Sequence, residues 1–65
     1  MNRVAEVNKK LKELGFSERL RRGRGYYYFA GGEAASWLTS AVYVNWAEAL
    51  TVERWILEYK ELAGK

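Results

Sequence analysis

Apolar residues recur along this chain with two different periods, and the changes of period divide it into elements. In residues 2–14, Val4, Val7, Leu11 and Leu14 follow a three-four-three spacing that lines one face of an α-helix. Asn2 stands where a side-chain oxygen can cap that helix. Lys9, Lys10 and Lys12 lie toward its C-terminal end, where cations oppose the helix dipole. Gly15 supplies the left-handed stop, and Phe16 falls where a Schellman ending packs it back against Leu11.

Residues 16–30 switch to a period of two and predict a β-hairpin. A two-residue Gly23-Arg24 turn of the Gly-X type pairs Arg22 with Gly25, Arg21 with Tyr26 and Leu20 with Tyr27. Arg19 then opposes Tyr28, and Glu18 opposes Phe29. Directly opposed residues share a face. Phe16, Leu20, Tyr27 and Phe29 therefore form a core side with Glu18 near its edge, and Arg19, Arg21, Tyr26 and Tyr28 form the other. A slip of one residue would exchange the two sets.

Gly31-Gly32 ends the second strand, and Glu33 to Trp37 reads as either a loop or a single helical turn. Leu38 to Asn45 alternates as a third strand, with Val42 and Val44 inward and Ala41 and Tyr43 outward. Thr51 is an N-cap, and Leu50 before it can staple onto Trp55. Val52, Trp55, Ile56, Tyr59 and Leu62 make an apolar stripe through a helix over 52–63, ended by Gly64. The order α-β-β-β-α predicts an α+β fold: a three-stranded antiparallel sheet with two helices packed on one face. The other face stays open to water or to a partner. Leu20, Phe29, Val42, Trp55 and Ile56 are the expected core.

At 65 residues the chain is one domain, 1–65, and it contains no cysteine, histidine or aspartate. That removes disulfides, the common zinc constellations and a dedicated carboxylate cage for Mg²⁺ or Ca²⁺, so neither a metal site nor a cofactor site is expected. Stability must come from a small aromatic core, with Trp37, Trp46 and Trp55 as its large contributors. No apolar run approaches the roughly 18 residues of a membrane span, and the N-terminus lacks a signal-peptide core. The expectation is a soluble cytoplasmic protein without membrane contact.

The same composition argues against an enzyme. Histidine and cysteine, the usual neutral-pH base and the strongest nucleophile, are both missing. Ser17, Ser36 and Ser40 have no identifiable base, Lys9, Lys10 and Lys12 lie on a polar helix face, and Glu33, Glu48, Glu53, Glu58 and Glu61 are explained by helix solvation. Gly23-Arg24-Gly25 is a lone G-x-G, more simply a hairpin turn than a nucleotide fingerprint. No residue is assigned a catalytic role.

Charge is unevenly spread. Residues 1–25 hold eight Lys/Arg against three Glu, a net of +5, while residues 26–65 hold three against five, a net of −2. Within the basic half, Arg19, Arg21, Arg22 and Arg24 run into Tyr26-Tyr27-Tyr28-Phe29. Guanidinium groups bind phosphate or carboxylate bidentately, and exposed tyrosine offers stacking area with a hydroxyl at its tip. Basic residues interleaved with aromatics on a sheet suit single-stranded nucleic acid, and the same residue types dominate protein-interface hot spots. Either reading selects Arg19, Arg21, Arg24, Tyr26, Tyr28 and Tyr43 as partner-contacting residues. The open face and a free third-strand edge are compatible with a monomer or a homodimer.

Two resemblances bear on these residues. Arg22 to Phe29, the segment Gly31 to Val44, and Leu50-Thr51-Val52-Glu53-Arg54-Trp55 resemble a family of short phage and mobile-element proteins, over roughly residues 5–63. Small proteins of that setting include anti-CRISPR proteins. The resemblance implies a stoichiometric inhibitor that docks on a Cas effector subunit of a type I system or occupies a DNA path, in the bacterial cytoplasm, and blocks target DNA recognition. It transfers no catalytic residue. Separately, Leu11-Lys12-Glu13-Leu14-Gly15-Phe16 followed by a basic strand is similar to HicA-type toxins, small ribonucleases with a double-stranded-RNA-binding-like fold. Their catalytic histidine belongs near Tyr27 or Tyr28, and this chain has none, so that resemblance implies the fold without the ribonuclease activity.

Overall fold

The computed structural model describes residues 2–64. Its elements are helix α1 (Arg3–Glu13), strands β1 (Arg19–Arg22) and β2 (Tyr27–Ala30), a 3₁₀ turn at Ala34–Ser36, strand β3 (Ala41–Val42), a second 3₁₀ turn at Ala47–Ala49, and helix α2 (Val52–Ala63). The strands form one antiparallel sheet in the order β1-β2-β3. The expected α-β-β-β-α fold is present, and Glu33–Trp37 resolves as the helical turn.

Both helices begin and end on local signals. The Asn2 side chain accepts from the Val4 and Ala5 N–H groups at 2.9 and 3.4 Å. At the other end Phe16 N–H donates to Leu11 O and Gly15 N–H to Lys12 O, both at 3.0 Å, the paired bonds of a Schellman ending. Gly15 makes this possible with φ +84. Helix α2 starts with Arg54 N–H on Thr51 Oγ1 at 3.1 Å. Arg3 Nη1 donates to Leu50 O at 2.5 Å, joining the start of α1 to the entry of α2.

The hairpin differs from expectation by two residues of register. Leu20 pairs with Phe29, Arg21 with Tyr28 and Arg22 with Tyr27. Residues 23–26 make the loop, closed by Gly23 N–H on Tyr26 O at 2.8 Å. The reason lies in which glycine takes the left-handed conformation: it is Gly25, at φ +81, and not Gly23. A two-residue slip, unlike a slip of one, leaves each side chain on its expected face. The third strand is shorter than the expected Leu38–Asn45. Only Ala41 and Val42 pair with β2, because Val44 N–H turns back onto Val42 O at 3.2 Å and Leu38 points into solvent.

Between the sheet and the helices lies an aromatic core. Trp55 is fully buried, with its ring 5.8 Å from Tyr27 and 6.3 Å from Phe29, and its indole N–H donates to Ala47 O at 2.8 Å. Tyr59 meets Phe29 edge-on at 5.5 Å and Phe16 at 4.6 Å. Val7 and Leu11 of α1 and Leu20 of β1 complete the buried set with Ile56. Val42 is half-buried and packs against it, as does Trp37. Trp46 does not join the core; it is 65% exposed.

Two polar contacts hold this core in place. Asn8 of α1 grips the outer edge of β1, accepting from Leu20 N–H at 2.6 Å and donating to Leu20 O at 3.0 Å. Glu18, which the hairpin pattern left near the edge of the core side, is only 3% exposed. Its Oε1 accepts from the Tyr59 hydroxyl at 2.6 Å and its Oε2 from Glu33 N–H at 2.8 Å. Gly32 lies against this carboxylate, where a Cβ would overlap it. A buried carboxylate is tolerated only with such partners.

Replacing Asn8 by alanine leaves the Leu20 backbone groups without their side-chain partner. We expect a loss of about 1–2 kcal/mol in stability, read from urea unfolding. Burial, the hydrogen bond to Glu18 and the negative charge of that carboxylate all raise the Tyr59 pKa above the ordinary phenol value. The folded state therefore holds this proton more tightly than the unfolded chain does. Its contribution is complete below the ordinary phenol pKa of about 10 and is lost as pH rises beyond it. Unfolding curves between pH 9 and 12 should show the wild type losing stability more steeply than Tyr59→Phe.

Candidate interaction face

The helices cover one side of the sheet, and the other side carries the cluster of interest. Alternation sends Arg19 and Arg21 of β1, Tyr28 of β2 and Ala41 of β3 to this outer face, with Tyr28 between Arg21 and Ala41 across the strands. Tyr26 and Tyr43 join them from the loops. The ring centroids of Tyr26 and Tyr28 lie 5.9 Å apart at 41°, and those of Tyr26 and Tyr43 lie 5.9 Å apart at 40°. The result is one tyrosine patch spanning the hairpin and the end of β3. Tyr43 is its most open member at 80% exposure, while Tyr26 and Tyr28 are half-buried.

Tyr26 is held by the loop itself. Its ring occupies the space that a Cβ on Gly23 would fill. Gly23 thus serves the hairpin by close approach, while Gly25 supplies the left-handed turn.

The arginines separate into two roles. Arg21 and Arg24 are exposed, and among the described residues neither makes an ion pair or a side-chain hydrogen bond. Arg19 is committed to the backbone: its Nη1 donates to Phe16 O at 2.6 Å and to Glu18 O at 2.7 Å. It clamps the chain as it enters β1, next to the buried carboxylate. Of the six residues chosen from sequence, Tyr26, Tyr28 and Tyr43 come together, Arg21 and Arg24 flank them on the hairpin, and Arg19 has its guanidinium in a structural task.

Arg22 is not among the six residues chosen from sequence, and Trp46 was expected in the core. They line an open cleft of ≈ 540 Å³ at the hairpin end, together with Asn2, Tyr27, Asn45 and Glu48. Arg22 shares the inward face with Leu20 and Tyr27 but is exposed. The available signal was alternation, which already placed Arg22 on the inward side.

Among the described residues, no three acidic, histidine or cysteine side chains gather into a metal-binding group. No described helix is long and apolar enough to cross a membrane. No protein-family model, curated protein or solved structure matches the chain.

The Tyr26 ring over Gly23 has a direct spectroscopic consequence. Proton NMR should show a Gly23 Hα resonance displaced by the ring current, and Tyr26→Leu should return it to the ordinary glycine position. An undisplaced wild-type resonance would mean that the ring does not lie over Gly23 in solution.

Proposed function

We propose that this chain is a non-enzymatic inhibitor from a phage or mobile element. It docks on a Cas effector subunit through its open sheet face and blocks target DNA recognition. The observation that supports this reading is the tyrosine patch of Tyr26, Tyr28 and Tyr43, open on the sheet and flanked by the unpaired Arg21 and Arg24. Rings tilted against one another at this spacing form a continuous amphipathic surface, the residue chemistry of an interface hot spot. The two guanidiniums suit carboxylates on the partner or the phosphate path that the inhibitor would occupy. The choice of a type I effector rests on the resemblance of Arg22 to Phe29, Gly31 to Val44 and Leu50 to Trp55 to short mobile-element proteins.

A second reading, direct binding of DNA or RNA, draws on Arg21, Arg22 and Arg24 all being exposed at one end of the hairpin. Salt separates the two, because phosphate contacts weaken steeply with ionic strength and an aromatic protein interface does so far less.

The test is a nuclease-treated pull-down of the tagged chain from cells expressing a type I effector, alongside a plaque assay for interference. We expect one Cas subunit to be retained, and both retention and inhibition to fall at least about tenfold in Arg21→Glu/Tyr28→Ala. A folded double variant that inhibits fully would exclude this face. Recovery of nucleic acid alone, lost on nuclease treatment, would give the second reading precedence.

A further inference from the structure

The two edges of the sheet are unequally protected. On β1 the outward backbone groups of Leu20 are both taken by Asn8, and Arg19, Arg21 and Arg22 place charge along the strand. These are devices by which monomeric proteins discourage edge pairing. On β3 no charge and no side chain from another element guards the edge, whose protection is its two-residue length. Phe29 N–H donates to Ser40 O at 2.9 Å, so residues 40 and 42 turn their backbone groups toward β2 and Ala41 turns its own outward. The Ala41 N–H has a 3.3 Å contact with Thr39 Oγ1, exposed to solvent and easily exchanged. The Ala41 carbonyl faces away from the sheet.

Sequence around this edge is equally unguarded. In a chain that is 29% charged, residues 34–47 contain no charged side chain and no proline. Among the described residues, three of the five exposed large apolar ones fall in the same segment: Leu38 at 107%, Tyr43 at 80% and Trp46 at 65%.

We propose that the β3 edge binds a second copy of this chain, antiparallel, with Ala41 opposite Ala41 across a two-fold axis. Charge selects this occupant. An uncharged edge meets its own copy without repulsion, whereas β1 against β1 would set arginines together. The basic strand lies two strand spacings, roughly 10 Å, from the junction, about a Debye length in physiological salt. Pairing about Ala41 sets Ser40 against Val42 of the second copy, so small side chains meet at the axis, and the turn at Val42–Val44 ends the pairing on either flank. The three-stranded sheet becomes six-stranded, and the two tyrosine patches become neighbours on one continuous face. This goes beyond the docking proposal and depends on none of its partners.

Sedimentation velocity of the full chain alone, from about 10 µM to about 1 mM, should show the mass rising from that of the monomer to twice that value. Because the axis sets residue 41 against itself, Ala41→Lys and Ala41→Glu each place like charges in contact and should stay monomeric, with unchanged circular dichroism. An equimolar mixture of the two variants should recover the dimer, which a merely unfolded variant cannot do. A wild type that stays monomeric throughout, a dimer that persists in both variants, or a mixture that fails to associate would each overturn the proposal. No Cas complex enters this measurement, so its failure leaves the docking reading standing.

Discussion

The rest of the structure depends on one buried carboxylate. Glu18 sits where the chain enters β1, and a charge removed from water there demands partners. It draws them from two distant places: the hydroxyl of Tyr59 on α2 and the backbone N–H of Glu33 beyond β2. Satisfying one side chain thus fixes the last helix, the first strand and the loop between β2 and β3 relative to each other. Arg19, bonded to the carbonyls on either side of this entry, and Gly32, which lacks the Cβ that would collide with the carboxylate, belong to the same arrangement. Around it the rings of Phe16, Phe29 and Tyr59 close the apolar side of the site.

The helices and the division of faces were legible because their signals are local. Asn2 and Gly15, and Thr51 and Gly64, bracket stripes whose period is unambiguous, and hydrogen bonds at each bracket follow. The outer placement of Tyr26, Tyr28 and Tyr43 rested on alternation, which a two-residue change of register preserves. What escaped was non-local. Nothing near Glu18 in sequence announces Tyr59, 41 positions later. Trp46 reads as core by its chemistry, yet it is Trp55 that lies where the Tyr27 and Phe29 rings of β2 and the Ala47 carbonyl converge. Arg19 matched its neighbours in charge, and only the irregular segment 16–18 gave it carbonyls to bind.

A single hairpin therefore serves two ends. Its inward residues Leu20, Tyr27 and Phe29 anchor the helices, and its outward ones hold an aromatic surface arranged by the chain itself. Tyrosine has few rotatable bonds, and Tyr26 is further restricted by resting on Gly23. Ordering such a surface on binding costs less than ordering free side chains.

Asn8 has a consequence beyond the strand it touches. A sheet with one blocked edge and one open edge has a single place at which it can be extended. Once that place is used by a two-fold partner, every remaining edge carries an asparagine cap and arginines, and no further chain can add. In the proposed dimer, the side chain that completes the hydrogen bonding of Leu20 would thereby be what separates a closed assembly from an open-ended fibre.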